Sequence, residues 1–478
     1  MSSRDNNRKT LIIKRHRYVT LLTVLAFVFL FSMGLIFIIS YIWFPMLAGD
    51  QDDKVQYIAL SITAYAILTI FLIWIIKMGK KVRMSKSPLK SPEIKFISFL
   101  GVIALIGGIL FAYFSGSFFR AIHFETGPTL TWATGQDPSS EVTIMWRTNA
   151  KSESILEYGM SEDDLNTRIE LTDNVNWHQV FLSELNADTT YYYRVPGFRD
   201  EKIYSFATAP DSASSFTVLL FADPRQNSGP WGDVTQPNIP KYMSLKMEEW
   251  ESQGKKHAFT LVAGDIVNYA ENWMMWQSWF NDISILSGLS TGAVLVDACG
   301  NHEKSLGLDF EGEIFSNYYP LDPMPHDLYY FSFNYSQLHV CVLDPWNYTI
   351  APDYSYDGFG PEQAAWLQSD LANCSSMDYK IVVMHPPPFS DSEWKEGFLV
   401  LKQAVQDYNV DALFYGHDHD YYSKKIDNTY YNLIGVGGNI DNRGVDSGFV
   451  SIDVTPSSMT INMHWINGTS VELGVITP

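Results

Sequence analysis

The chain has 478 residues and carries 33 Lys and Arg against 53 Asp and Glu, a formal net charge of −20. That length exceeds one typical domain and leaves room for two folded domains with further segments. The charge is unevenly divided, with 15 basic and 5 acidic residues up to position 123 and 18 basic and 48 acidic residues beyond it. An acidic body of that kind excludes a nucleic-acid backbone as the partner.

The first 123 residues contain three uncharged apolar runs, Tyr18 to Phe44, Tyr57 to Ile76 and Phe96 to Phe114. Each is long enough to cross a bilayer as a helix. The first is longer than the apolar region of a signal peptide and no small-residue cleavage pattern follows it, so it reads as an uncleaved span. Basic residues precede it and fill the second loop, from Lys77 to Lys90, whereas the first loop carries Asp50, Asp52 and Asp53. The excess of positive charge predicts a cytoplasmic N-terminus and second loop. A multi-pass cell-membrane protein is therefore expected, with the lipid bilayer as a partner and everything beyond about residue 120 extracytoplasmic. Three cysteines, Cys299, Cys341 and Cys374, allow at most one internal disulfide.

Residues 124–210 read as a β-rich domain. Val142, Ile144 and Trp146 alternate with Thr143, Met145 and Arg147, the pattern of a half-buried antiparallel strand. Further strand-like segments follow at Ser154 to Tyr158, Gln179 to Leu185, Thr190 to Val195 and Ile203 to Thr208. Several short strands separated by turn residues predict a β-sandwich. Leu185, Ala187, Thr189 and Tyr191 resemble the tyrosine corner of fibronectin type III domains, in which the hydroxyl bonds back to the backbone.

Residues 215–478 hold the chemistry. Four apolar runs, Ser215 to Asp223, His257 to Asp265, Gly292 to Asn301 and Lys380 to His385, read as buried strands, and a fifth starts at Asp411 and ends in Gly416-His417-Asp418-His419. Each delivers a Lewis-basic side chain at its C-terminal end, where open α/β sheets collect ligands. Three oxygen and three nitrogen donors, Asp223, Asp265, Asn301, His385, His417 and His419, describe a dinuclear site for borderline-hard metals. Helices are predicted over Ile239 to Ser252, Trp276 to Leu286, Gly360 to Leu371, with proline at a first-turn position, and Trp394 to Tyr408. Antiparallel runs at Tyr329 to Phe333, Gln337 to Asp344, Tyr430 to Gly438 and Phe449 to Asn462 complete two packed sheets.

The series Asp223, Gly264-Asp265, Gly300-Asn301-His302-Glu303, His385 and Gly416-His417-Asp418-His419 resembles the calcineurin-like metallophosphoesterase superfamily, and the preceding sandwich resembles the N-terminal domain of its purple-acid-phosphatase-like branch. The resemblance covers residues 127 to about 455 and implies an α/β four-layer (αββα) catalytic domain. With the membrane anchor at 1–123 (spans at about 18–44, 57–76 and 96–114) and the fibronectin III-like sandwich at 124–210, the chain is expected to be multidomain. The resemblance makes Asp265 the carboxylate bridging two divalent or trivalent ions of iron, manganese or zinc. Asp223 and His419 would bind the first ion, and Asn301, His385 and His417 the second. A hydroxide between the ions would attack a phosphate monoester, and His302, a non-ligand, would hold phosphoryl oxygens or protonate the leaving alkoxide.

Two positions depart from the family pattern. Arg225 stands where many members carry a histidine ligand and purple acid phosphatases a glycine, and arginine cannot coordinate. It is either a bidentate clamp on phosphate or a structural partner of an acidic neighbour. Asn268 occupies the place of the tyrosine that colours the purple enzymes, with Tyr269 one step later, so the identity of the first metal stays open. A phosphodiesterase or nucleotidase with the same centre, or a non-catalytic surface-binding protein with a decayed phosphatase domain, are the alternative readings.

Overall fold

The computed structural model describes residues 124–478, apart from 133–134, 198–201, 225–238, 271, 304–328, 347–357, 391–392 and 439–445. Five strands open it: β1 (Phe124–Thr131), β2 (Val142–Gly159), β3 (Thr167–Leu182), β4 (Thr190–Arg194) and β5 (Tyr204–Ala207). They hydrogen-bond as one sheet in the order β1-β2-β4-β5, with β3 also on β2. The segments expected as separate strands at 141–147 and 154–158 are one 18-residue strand, β2, whose register with β3 shifts between Arg147 and Ser152. An irregularity of this kind bends a strand and lets it serve β1 at one end and β4 at the other. The strands of the expected fibronectin III-like sandwich are therefore joined by hydrogen bonds into one continuous path through the long, bent β2. Its tyrosine corner does form, with the Asn186 backbone N–H donating to Tyr191 Oη at 2.9 Å.

The following half runs β6 (Phe216–Phe221), α1 (Ile239–Glu251), β7 (His257–Val262), α2 (Trp273–Phe280), α3 (Leu289–Gly292), β8 (Val294–Asp297), β9 (Phe331–Tyr335), β10 (Leu338–Val342), α4 (Pro361–Asn373) and β11 (Tyr379–Val383). It continues through β12 (Phe389–Ser390), β13 (Glu393–Trp394), α5 (Leu399–Asp407), β14 (Ala412–Tyr415), β15 (Tyr421–Ile426), β16 (Thr429–Ile434), β17 (Gly448–Thr455), β18 (Ser458–Trp465) and β19 (Ser470–Ile476). Two six-stranded sheets result, ordered β19-β18-β17-β6-β7-β8 and β15-β16-β14-β11-β10-β9. In both, the strands that matter most pair in parallel: β6 with β7 and β7 with β8, then β10 with β11 and β11 with β14.

Strand parity shows why these runs are apolar throughout. Val340, Val342, Ile381, Val383, Ala412 and Phe414 join the core between the two sheets. Cys341, Val382, Met384, Leu413 and Tyr415 point the other way and pack with Leu367, Leu371, Leu401 and Val405 of α4 and α5. Successive side chains alternate faces, and a strand covered on both sides has no polar face to show. On the first sheet, Met243 and Met247 of α1 and Trp276 and Phe280 of α2 play the corresponding part. The helix expected from Trp394 begins later, at Leu399, because Trp394 pairs with Phe389 in a short hairpin and packs on Tyr431.

The first sheet is fastened to this half. Tyr193 Oη donates to Thr291 O at 2.9 Å, Thr131 Oγ1 to Leu295 O at 3.2 Å, and the Trp132 ring sits 5.6 Å from Phe259. Thr143 and Met145, expected on an open face of β2, are accordingly buried.

No helix among the described residues is long and apolar enough to cross a membrane. The longest, α1 and α4, have 13 residues, about 20 Å at 1.5 Å per residue against a hydrocarbon core of about 30 Å. The three expected spans, at about 18–44, 57–76 and 96–114, lie outside the described residues. The architecture of three membrane helices followed by two outer domains is therefore corrected to a β-rich region followed by two facing sheets with helices. The multi-pass, extracytoplasmic placement and the lipid bilayer as partner, which rested on those spans, are withdrawn with it.

Three histidines of this framework, His178 buried and His257 and His464 half-buried, are held away from water strongly enough to resist protonation. His178 lies between the Thr148 and Ser154 hydroxyls, both at 2.8 Å, and stacks on Trp146. Burial pushes His178, His257 and His464 each down to about 4. The unfolded chain protonates such groups below its ordinary value of about 6.5 while the folded chain resists until about 4. Stability should therefore be full above about pH 6.5 and fall steadily between pH 6.5 and 4. Urea midpoints measured across that window should show the slope, and His178→Gln should flatten it.

Candidate metal centre

Every side chain of the centre comes from the residues just past a parallel strand. Asp223 follows β6, Asp265 follows β7, Asn301 follows β8, His385 follows β11, and His417 and His419 follow β14. Four of these six have left-handed backbones: Asp223 (φ 56°), Asp265 (φ 55°), His417 (φ 76°) and His419 (φ 42°). Non-glycine residues rarely adopt this conformation, and its clustering at the ends of strands marks stored strain at a working site. The turn turns each side chain out of its sheet and toward the common space at the strand ends.

Hydrogen bonds then hold the donors in register. Asp223 Oδ2 accepts the His417 backbone N–H at 2.9 Å, and Asp223 Oδ1 lies 3.5 Å from His419 Nε2. Asp265 Oδ1 accepts the His302 backbone N–H at 3.1 Å and stands 3.1 Å from His385 Nε2. The Ala263 carbonyl takes the His385 Nδ1 proton at 2.7 Å, which fixes the tautomer and turns Nε2 inward. His417 Nδ1 lies 3.0 Å from Asn301 Oδ1, and the His385 and His417 rings stand at 87° to each other.

Two donor groups emerge, Asp265-His385-His417 and Asp223-Asp265-His419, each with its atoms within 4.8 Å of one another. Asp265 belongs to both. Asp223 Oδ1 and His385 Nε2 are buried polar atoms with no hydrogen-bond partner. The 3.1 Å approach of His385 Nε2 to Asp265 Oδ1 does not contradict this, because the two are near but not aligned for donation. One donor group thus holds a buried carboxylate oxygen and the other a buried imidazole nitrogen that the protein leaves without a hydrogen bond, so the residues fit a dinuclear metal centre. Burial disfavours charge on His385, but the Asp265 and Asp223 carboxylates outweigh it and push the imidazole up to about 9. A metal must therefore displace a proton to bind there.

Backbone packing around the centre leaves no room for side chains. A Cβ on Gly264 would meet His385 Nδ1 at 2.7 Å, and one on Gly300 or Gly416 would collide with Asp265 or Asp223 respectively. Sequence reasoning placed these glycines in the motifs but missed Glu303 as the keystone. Its Oε2 accepts the N–H groups of Asp265 at 2.9 Å and Gly300 at 2.8 Å, and its Oε1 those of Ile266 at 2.8 Å and Val267 at 3.2 Å. Burial, then the nearby Asp265, pushes its carboxyl up to about 7. Trp346 was missed too, although Asp344-Pro345-Trp346 follows β10 as the other motifs follow their strands. Its ring lies 6.2 Å from His385 and 5.9 Å from His417, and its Nε1 donates to Cys299 O at 3.2 Å.

His302 stands outside both donor groups. Its Nδ1 meets the Asn268 carbonyl at 2.7 Å and its half-buried Nε2 is 3.8 Å from Asp265 Oδ2. Tyr269 is exposed. Trp394 packs on Phe389, and Lys395 Nζ donates to the Pro387 carbonyl. Arg225 lies outside the described residues.

Comparison with known proteins places this geometry. Residues 219–421 match the family model described as Calcineurin-like phosphoesterase, and residues 127–208 that of Purple acid Phosphatase, N-terminal domain. Purple acid phosphatase 1 of Ipomoea batatas is 26% identical over 285 residues, 54% of this chain and 54% of that protein. Fe(3+)-Zn(2+) purple acid phosphatase 12 of Arabidopsis thaliana is 25% identical over 327 residues, 65% of each. The chain spans little more than half the length of the first of these. The solved structure of purple acid phosphatase PPD1 from yellow lupin superposes with a TM-score of 0.55 at 18% identity, covering 73% of this chain and 74% of that one, and so shares the fold.

Glu303→Ala would strip acceptors from four buried backbone N–H groups, each worth about 1–3 kcal/mol when left unmade. Denaturation in urea should show a loss of at least about 3 kcal/mol. Gly416→Ala should cost about 1–3 kcal/mol and lower metal content, measured by elemental analysis, because its Cβ collides with Asp223 and the Ala222 Cβ.

Proposed function

Because the chain belongs to the calcineurin-like metallophosphoesterases and carries a purple acid phosphatase N-terminal domain, we propose that it hydrolyses phosphate monoesters at a dinuclear metal centre. The observation that carries this reading is the single carboxylate of Asp265 standing in both donor groups. Asp265 would be shared by two cations, with Asp223 and His419 holding one and Asn301, His385 and His417 the other. A mixed oxygen and imidazole donor set suits iron, manganese or zinc, and the ferric iron and zinc named for the Arabidopsis relative are such a pair. When bound, the cations supply Lewis acidity toward phosphoryl oxygens and make water acidic enough to attack near neutral pH.

The chain's own residues do the remaining work. Glu303 ties the loop of Asp265 to the loop of Asn301 through four backbone N–H groups, so the two metal pockets keep their separation. Trp346, buried against Cys299, packs its ring beside His385 and His417 and so limits their movement. His302 is held through Nδ1 by the Asn268 carbonyl and presents Nε2 on the more open side of Asp265. There it donates a proton to the leaving alkoxide, a task matched to an imidazole. Arg225, two residues past Asp223 in the chain, would offer its permanent charge to the phosphate oxygens.

Purified protein should hydrolyse an aryl phosphate, lose that activity on chelation and regain it with manganese, zinc or iron. Activity indifferent to chelation sinks the mechanism, and faster turnover of a bis-aryl diester than of the monoester reassigns the substrate. Asp265→Asn should abolish turnover and reduce bound metal. His302→Ala should lower kcat by about 10²–10⁴-fold with two metals retained; loss of metal in that variant contradicts its role.

A further inference from the structure

On the opposite face of the second sheet, β9 and β10 pair so that Asn334 stands across from His339 and Ser332 across from Cys341. Residues two apart on a strand share a face, so all four side chains look toward α4, which adds Asp370. His339 and Cys341 are buried, at 1% and 0% exposure. We propose that His339, Cys341 and Asp370 form a second metal site, independent of the dinuclear centre and suited to zinc, that pins α4 to the edge of the sheet.

The donor atoms converge. His339 Nε2 is 2.9 Å from Asp370 Oδ2 and 3.2 Å from Cys341 Sγ, and Cys341 Sγ is 3.2 Å from Asp370 Oδ2. A tetrahedral zinc, at about 2.3 Å from sulfur and about 2.0–2.1 Å from nitrogen or oxygen, separates its ligands by roughly 3.3–3.6 Å. An outward movement of a few tenths of an ångström therefore opens the triangle to a zinc ion. The atoms behind the ligands are also in place. Asn334 Oδ1 lies 2.7 Å from His339 Nδ1, which puts the proton there and leaves Nε2 with its lone pair toward the carboxylate and the sulfur. Ser332 Oγ donates to the other carboxylate oxygen, Oδ1 of Asp370, at 2.6 Å.

Without a cation the Cys341 thiol donates to Asp370 Oδ2, and a metal ion would take that proton's place among the three donor atoms. An imidazole, a thiol and a carboxylate, the first and last each braced from behind, are the ligand types that select zinc, and the sulfur disfavours magnesium, calcium or manganese. Without metal, burial and then Asp370 hold the Cys341 thiol well above its ordinary value. Loading would release that proton into solvent as the thiolate binds the cation. A buried, hydrogen-bonded Cys-His-Asp cluster with no metal affinity is the competing account.

Cobalt(II) distinguishes them, because the ligand set of the dinuclear centre contains no sulfur. Full-length protein stripped by a chelator and reloaded with cobalt should develop a thiolate-to-cobalt charge-transfer band in the near ultraviolet. The band should survive Asp265→Asn and Cys299→Ser, vanish in Cys341→Ser, and be bleached by one added equivalent of zinc, which binds such sites more tightly than cobalt. Asp370→Asn, a milder change, should weaken cobalt binding by tenfold or more with the band still present. No band at saturating cobalt, or a band that survives Cys341→Ser or disappears in Cys299→Ser, overturns the proposal.

Discussion

Two carboxylates buried side by side set the terms for this molecule. Asp223 and Asp265 are both without solvent exposure, and the groups around them are imidazoles and backbone amides. Burying one ionised carboxylate is costly and burying two near each other more so, unless positive charge is supplied. His385 takes up part of the demand by holding a proton to about 9. The unpartnered Asp223 Oδ1 shows that the imidazoles do not meet all of it. The folded centre is thus built as a cation receptor, and its left-handed turns and cramped glycines are tolerated because five strands behind them are packed on both faces.

Much of that centre was legible in the chain itself. Apolar runs that end abruptly in Asp, Asn or His are visible without coordinates, and the structure brings all six such residues to one place. Glu303 was not legible as a keystone, because its partners are backbone amides of Asp265, Ile266 and Val267, and a backbone donor has no signature in a sequence. The left-handed turns at Asp223 and Asp265 were hidden for a related reason: the favoured residues there are glycine or asparagine, and function has placed aspartate instead.

The misreadings have physical causes as well. Val142 to Arg147 alternates as a half-exposed strand does, yet Thr143 and Met145 are buried and Arg147 lies over the Trp273 ring of α2. Periodicity reports amphipathicity and cannot say what covers the polar side. The apolar spacing after Trp394 was taken for helix, whereas the aromatic contacts of Phe389, Trp394 and Tyr431 fold that stretch into a hairpin before α5 begins. Long-range packing overrode local pattern in both places. His339 and Cys341 illustrate the opposite lesson, since a His-x-Cys step in an apolar run reads as ordinary core until Asp370 arrives from α4.

Tyr193 reaches out of the first sheet to the carbonyl of Thr291, and Trp132 lays its ring against Phe259 and Phe333. Excising the front sheet near residue 210 would bare an aromatic wall and orphan a buried carbonyl, and the remnant would be prone to clump. Recombination in nature faces the same obstacle. A foreign module joined to the two-sheet half would have to reproduce that wall and the donor to the Thr291 carbonyl.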